Sequence, residues 1–335
     1  MDPFTLLVLA AAGLVSLGTA EVWAHRRNLY HIPHRIHVAG TRGKSSVTRL
    51  IAAGLREGGV RTAAKTTGTL ARMILPDAHE VPVFRPAGAN IVEQKRIVAT
   101  ARALGVDALV IECMALIPDL HWVAENIFVR ATHGVITNTR ADHLDVMGPT
   151  TADVARTLAS MTPVKGVLFT AERVYLDILA AAAKDRGTRL VAVSEEDVAA
   201  ITPADLAPFK WTEHAENVAL ALKVTDSFNI PRDVALQGMW KAPPDPGVLL
   251  EFPVDFFGRR ITFVNAFAAN DPESTERIWN LSVGRHPETT RTVAVFNMRA
   301  DRPARTLQMA QQCDYWHGAD RVVLMGTGAY TFGRM

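Results

Sequence analysis

Cysteine is nearly absent from the 335-residue chain. Cys113 and Cys313 are the only two, and no further ligands sit near them at metal-binding spacing. A disulfide framework and a cysteine-based metal site are both excluded, and a reducing compartment is expected. An excess of either charge is also missing. The formal net charge is +2, which leaves no electrostatic footprint for nucleic acid, so none is expected as a partner. Internal repeats and low-complexity tracts are not visible. What is there, 48% apolar and 21% charged residues, describes a globular protein with a sizeable core and about two domains.

Charge is missing altogether from Pro3 to Ala20, a largely apolar stretch of eighteen residues. That length is at the short end of a membrane span. Trp23 could mark an interface, and His25, Arg26, Arg27 and Arg35 follow at once. The positive-inside rule then leaves the short N-terminus outside and the remainder in the cytoplasm. A cleaved signal peptide would carry its positive charge before the apolar run rather than after it. A buried core helix is the other reading of the same pattern.

The centre of the sequence is Gly40-Thr41-Arg42-Gly43-Lys44-Ser45. Ile36-His37-Val38-Ala39 enters it as a short strand. Ser45 to Glu57 leaves it as a helix, with Val47, Leu50, Ile51 and Leu55 on one face and Gly58-Gly59 as its stop. Strand, glycine loop, lysine and helix together form the geometry that wraps a polyphosphate. Lys44 would reach the outer phosphates and the Ser45 hydroxyl would sit on Mg²⁺. The first glycine of the usual phosphate-loop pattern is missing, since Val38 occupies its place. The rival reading is a Gly-rich turn with a surface lysine.

Further along, Thr62 to Thr69 reads as a strand running into a hydroxyl-rich turn. Lys65, Thr66, Thr67 and Thr69 suit anion or substrate binding, and equally an ordinary polar loop. Residues 76–90 read as loop, and Asn90 to Leu104 as helix. Val106 to Glu112 is a mostly apolar run of the kind buried in parallel sheets. It ends on Glu112, at the strand edge where open α/β sheets hold ligands and where a carboxylate is a natural Mg²⁺ ligand. Cys113 reads as a small buried residue rather than a nucleophile. Gly134 to Asn138 is another strand and leads to Asp142-His143-Leu144-Asp145, which suits a second cation or is a polar loop. Helices are expected over 151–161, 172–186 and 213–228, and strands over 166–170 and 189–193. Ala242 to Gly247 holds three prolines and a glycine and marks a domain boundary. A second alternation follows: strand 261–265, helix 273–282, strand 291–297, helix 303–313, strand 321–325. Arg299, Arg302 and Arg305 suit carboxylate recognition, and equally a solvated helix start.

Taken together, these stretches resemble the Mur ligases and folylpolyglutamate synthases. The glycine loop, the Glu112 strand end, Thr137-Asn138 with Asp142-His143-Leu144-Asp145, and His214 to Leu220 stand in that superfamily's order. Arg42 to Leu50, Lys65 to Thr69, Glu112 to Ala115, Asp142 to Thr150, Ala242 to Gly247, Asn265 to Asp271 and Arg299 to Arg302 are similar, within it, to the ligase subunits of poly-γ-glutamate synthases. The resemblance covers nearly the whole chain. It implies an α/β fold: a Mur-ligase-like ATP-binding domain with a parallel sheet (33–247), a smaller Rossmann-like C-terminal domain (248–335), and a preceding transmembrane helix (1–27). It also implies that the C-terminal domain is incomplete at Met335.

The implied activity is an ATP-dependent amide ligase that adds glutamate to a γ-linked chain through an acyl phosphate, with release of ADP and phosphate. Gly40, Thr41, Arg42, Gly43, Lys44, Ser45, Ser46, Asn138 and Asn217 would bind ATP. Lys44, Glu112 and His143 would be catalytic, with Ser45, Glu112 and His143 on Mg²⁺, or Mn²⁺ in its place. Lys65, Thr66, Thr67 and Thr69 would lie on the acceptor side, and Arg299, Arg302 and Arg305 would take glutamate carboxylates. Closure of the C-terminal domain would keep water from the acyl phosphate. Implied partners are glutamate, the growing polymer, the cell membrane with the catalytic domains on its cytoplasmic side, further small membrane subunits, and a second copy of the chain. Three departures stand out. No arginine follows Pro246-Gly247, Ala266 stands where a ribose-binding Asp is common, and Lys165 is only a nearby candidate for the superfamily's metal-holding modified lysine. A folylpolyglutamate-synthase-like ligase, a membrane-tethered transport ATPase and a non-catalytic scaffold are the competing readings.

Overall fold

A computed structural model describes residues 2–67, 70–85, 88–245, 249–267, 269, 272–298, 303–313 and 318–334. The chain forms two compact units, Met1–Asp245 and Pro246–Met335.

Among the described residues the first unit is built on eight strands: β1 (His34–Ala39), β2 (Thr62–Thr66), β3 (Arg72–Ile74), β4 (Glu80–Pro82), β5 (Ala108–Glu112), β6 (His133–Ile136), β7 (Val167–Thr170) and β8 (Arg189–Ala192). Their order across the sheet is β4-β3-β2-β5-β1-β6-β7-β8. The six strands from β2 to β8 in that order run parallel. The central strands β1, β5 and β6 read as continuous apolar runs because helices cover both faces of a parallel sheet. Ile36, Val38, Leu109, Val110, Ile111 and Ile136 are fully buried accordingly. Val38 pairs with Glu112 on one side and Val135 on the other. That register delivers the carboxyl ends of β1, β5 and β6, at Ala39, Glu112 and Ile136, to one edge.

Sequence and structure differ at the periphery. Within the stretch expected as loop, Glu80–Pro82 is a strand, and β3 and β4 add antiparallel to the edge of the sheet. Three-residue strands are too short to show an alternation. Helix Arg232–Lys241 and the helix Pro118–Val123 with its π-helical continuation Ala124–Val129 were not anticipated. The last ends on Arg130 in a left-handed conformation, φ 48°.

Helix α1 spans Pro3–Tyr30, with Pro3 in its first turn and the Asp2 carboxylate accepting the Thr5 N–H at 3.0 Å. Among the described residues it is the one helix long and apolar enough to cross a membrane. Its apolar length is exposed, which sets aside the buried-core reading. Its last turns dock on the sheet unit. Leu29 joins a core cluster with Ile32, Val98 and Leu109, His25 Nε2 lies 2.9 Å from the Phe128 carbonyl, and Glu21 pairs with Lys95. Helix α2 (Lys44–Glu57) buries Val47, Leu50, Ile51 and Leu55. Helix α3 (Glu93–Ala103) follows a turn in which Asn90 Oδ1 accepts the Val92 N–H at 2.9 Å.

The second unit opens with an antiparallel hairpin, β9 (Leu250–Phe256) and β10 (Arg259–Asn265), turning at Phe257-Gly258. Only its second strand was legible, because β9 contains Pro253. Helix Pro272–Arg285 leads to β11 (Val293–Asn297). Helix Pro303–Cys313 then leads to β12 (Arg321–Met325), which pairs parallel with β11 in the strand–helix–strand pattern expected for this half.

Candidate active site

The loop between β1 and α2 is shaped by contacts that only glycine tolerates at two positions. Gly40 has φ 130°, and a Cβ there would stand 2.0 Å from Thr137 Oγ1. Gly43 has φ 79° and caps α2, where a Cβ would meet Asn217 Oδ1 at 2.8 Å. Val38, in the place of the usual first glycine, is instead a buried residue in the middle of the sheet. The loop needs no glycine there because it begins at Gly40.

Asn138, after β6, holds the loop in shape. Its Oδ1 accepts from Thr41 Oγ1 at 2.7 Å and from the Arg42 N–H at 3.0 Å, and its Nδ2 donates to the Arg42 carbonyl at 3.1 Å. Thr137 Oγ1 donates to the same carbonyl at 2.6 Å, and Thr41 Oγ1 accepts the Arg140 N–H at 2.9 Å. Lys44 curls back so that its Nζ donates to the Gly40 carbonyl at 2.9 Å and the Thr41 carbonyl at 3.3 Å. Ser45 and Ser46 lie in the first turn of α2, where free backbone N–H groups and the helix dipole favour an anion. The structure thus brings Gly40 to Ser46 and Asn138 together. Asn217 reaches them from helix Ala215–Asp226, with its Nδ2 donating to Glu213 Oε1 at 2.8 Å.

Beside the loop, Ser45 Oγ donates to Glu112 Oε2 at 2.9 Å, and the Thr67 N–H donates to the same oxygen at 2.7 Å. Among the described residues no three His, Cys, Asp or Glu side chains cluster as a metal site. A serine hydroxyl and one carboxylate are nonetheless hard oxygen donors. They fit a Mg²⁺-type ion, which takes the rest of its shell from phosphates and water. His143 has a left-handed backbone, φ 48°, and its Nε2 lies 3.7 Å from Asp142 Oδ1. Asp142 in turn pairs with Arg42 at 2.9 Å, which ties this segment to the phosphate loop.

One expectation and one nearby candidate are corrected. Lys65 does not present its ammonium to a ligand: it is wholly buried, and its Nζ lies 2.7 Å from Glu93 Oε1. Arg85 grips the same carboxylate through two hydrogen bonds of 2.7 Å. Burial pulls the Lys65 pKa down and Glu93 works against it. Lys165 also fails as a metal-holding residue, because it precedes β7 at the opposite edge of the sheet from Glu112. Thr66 is fully buried. Thr69, Arg299 and Arg302 lie outside the described residues, as does the side chain of Arg305 in helix Pro303–Cys313.

Reading the sequence missed two carboxylates at this edge. Glu213 is buried and receives both Asn217 and the Trp211 indole N–H, the latter at 3.0 Å. Glu172, just beyond β7, accepts the N–H groups of Thr139, Val174 and Tyr175 at 2.6, 2.7 and 3.1 Å. Its signal was available: an acid two residues past an apolar strand, as Glu112 is at the end of β5.

A glycine loop feeding a helix N-terminus, with a strand-end carboxylate against the first helical hydroxyl, defines an α/β enzyme of the phosphate-binding class. The Mur ligase middle domain matches residues 38–241, and the poly-gamma-glutamate synthase CapB C-terminal domain matches residues 252–335. The chain is 37% identical over 323 residues to PGA synthase CapB of Bacillus subtilis (strain 168), covering 96% of this chain and 81% of that one. It is 38% identical over 315 residues to the capsule biosynthesis protein CapB of Bacillus anthracis, covering 93% and 67%. Among solved structures, a bifunctional folylpolyglutamate synthase/dihydrofolate synthase with Mn, AMPPNP and L-glutamate bound has the same fold. It superposes with a TM-score of 0.62 at 16% identity, over 93% of this chain and 85% of that one. The chain belongs to the CapB family of poly-γ-glutamate synthases, built on the Mur ligase fold.

Proposed function

We infer that this protein is an ATP-dependent amide ligase that lengthens a γ-linked glutamate chain and releases ADP and phosphate. The observation that carries the reading is the Ser45–Glu112 pair beside the glycine loop, in a chain with CapB relatives along nearly its whole length. ATP is the phosphoryl donor. The N–H groups of the loop and of the α2 N-terminus hold its outer phosphates. Lys44 leaves the Gly40 and Thr41 carbonyls to meet the γ-phosphate. The terminal γ-carboxylate of the acceptor attacks that phosphorus, ADP leaves, and an acyl phosphate forms. The amine of the incoming glutamate attacks the acyl carbon and loses a proton, and phosphate departs with the C–O bond electrons. A divalent cation held by Ser45 and Glu112 supplies charge neutralisation at the transferring phosphoryl. We assign magnesium to that place and a second ion to His143.

Residues 33–247 then carry the ATP chemistry. Residues 248–335 belong to the C-terminal ligase domain, with Arg299, Arg302 and Arg305 on glutamate carboxylates. Thr67 and Thr69 border the acceptor, and the buried Thr66 backs them from the end of β2. Helix α1 anchors the chain in the cell membrane with both units on the cytoplasmic side, and small membrane subunits and a second copy of the chain assemble with it there. Phosphate release by the full chain with Mg²⁺-ATP, with and without glutamate, tests the reading, with products followed by mass spectrometry. Glutamate-stimulated release, products growing in glutamate-sized steps and loss of both in Lys44→Ala are expected. Release indifferent to glutamate would instead identify a membrane-tethered ATPase.

A further inference from the structure

An open cleft of about 680 Å³ lies at the edge of the sheet opposite Ser45 and Glu112. Its walls come from the end of α1 (Arg26, Leu29, Tyr30), the approach to β6 (Arg130, Thr132) and the turn before β7 (Val164, Lys165). None of the residues placed in ATP binding lines it. Four cationic side chains do: Arg26, Arg35, Arg130 and Lys165. Among the described residues the single carboxylate in the lining, Glu125, is turned inward, where it meets His37 Nδ1 and the Ala131 N–H, both at 2.8 Å.

The four cations divide by role. Arg35 is a fixed post, since its guanidinium donates to the carbonyls of Leu29, Ile32, Val129 and Arg130. Arg26, Arg130 and Lys165 are exposed, and among the described residues no carboxylate lies within salt-bridge distance of them. Arg130 and Lys165 also sit at left-handed turns, φ 48° and 55°, where glycine is the easier residue. Unpaired cations converging on one cleft repel each other, and an anion in the cleft relieves that repulsion.

We propose that this cleft binds the phosphate headgroup of an anionic phospholipid. The proposal rests on the reading of α1 as a membrane span. The uncharged run Pro3 to Ala20 rises about 27 Å as a helix, close to the thickness of the hydrocarbon layer. Arg26 lies about 9 Å further along the same axis, at headgroup depth. Trp23, with the Arg27 guanidinium 5.6 Å above its ring, marks the interface between them. The cleft therefore opens where lipid phosphates are concentrated, and basic pockets beside cytoplasmic helix ends suit such headgroups. Polyglutamate offers carboxylates instead, but its chemistry lies at the other edge of the sheet.

Full-length protein in nonionic detergent gives the test. Phosphatidylglycerol at about a hundred times its dissociation constant should raise the melting midpoint by about 5 °C over the same amount of phosphatidylcholine. Arg130→Gln/Lys165→Gln should abolish that rise while leaving the lipid-free midpoint and the ATP turnover unchanged. An equal rise in the double variant would overturn the proposal. So would an equal rise with phosphatidylcholine, inorganic phosphate or polyglutamate at matched charge. Carbonate extraction of the chain from vesicles tests α1 separately. Release into the supernatant would remove the membrane reading itself, whereas retention without a phosphatidylglycerol effect would remove the headgroup site alone.

Discussion

Ser45 Oγ and Glu112 Oε2 are 2.9 Å apart, although 67 residues separate them in sequence. One sits at the N-terminus of α2 and the other at the carboxyl end of β5, and the pairing of β1 with β5 brings them together. Glu112→Gln keeps the shape and removes the charge. Glutamate-dependent phosphate release should fall by about 10²- to 10³-fold, the scale of losing one electrostatic stabiliser of the transition state. Ser45→Ala should act in the same direction and raise the Mg²⁺ concentration needed for half-maximal rate. Full activity in Glu112→Gln would show that the metal is held elsewhere.

Gly40 leaves no room for a methyl group. In Gly40→Ala the new Cβ would meet Thr137 Oγ1 at 2.0 Å and the Thr137 backbone nitrogen at 3.0 Å. Binding of an ATP analogue, measured by calorimetry, should be lost or weakened at least tenfold. Adding Thr137→Ala removes only the hydroxyl contact, so recovery should be partial. Full recovery would show that the backbone approach is unimportant.

Lys65 and Glu93 form a buried pair, with Arg85 as a third member. Lys65→Met leaves a buried carboxylate with one partner fewer and should cost about 3 kcal/mol in chemical denaturation. Lys65→Met/Glu93→Gln should regain part of that loss. The KM for glutamate should stay within about twofold in whatever enzyme remains folded. A tenfold rise in KM at unchanged stability would return Lys65 to the substrate site.

Three histidines, His37 and His121 buried and His133 half-buried, set opposing pH dependences. Burial disfavours the charge on His37, but Cys113 and the Glu125 carboxylate 2.8 Å away outweigh it and hold the pKa at about 9. A raised folded-state pKa stabilises fully below about pH 6.5, and the contribution disappears as pH climbs through about 9. Desolvation lowers His121 and His133 to about 4. These two destabilise as pH falls from about 6.5 to 4, because the unfolded chain then binds more protons. Urea midpoints from pH 5 to 9 should peak near neutrality. His37→Gln should flatten the alkaline limb, by at most about 3 kcal/mol.

Much of the sheet was readable because its central strands are short apolar runs and its first helix repeats Val47, Leu50, Ile51 and Leu55 on one buried face. The edge strands β3 and β4 were not readable, since three residues carry no period. Helix Arg232–Lys241 was also missed, because the proline-rich break after it dominated the reading. In the site, the glycine loop and Glu112 were legible as local patterns and Glu172 carries the same strand-end signal, whereas Glu213 has no local pattern that separates it from surface acids.

Local chemistry in the sequence determined that β1 runs into a glycine loop and a helix, that α1 is long and apolar, and that apolar strands alternate with helices. These follow from side-chain periodicity and from the conformational freedom of glycine, which act over a few residues. The tertiary structure alone decided that Lys65 is an internal ion-pair partner. It also turned Asn138 onto the loop and placed Lys165 with Arg26 and Arg130 at the far edge of the sheet. Those outcomes depend on parallel strand order and register, which are set by the packing of distant segments and leave no mark on the residues themselves.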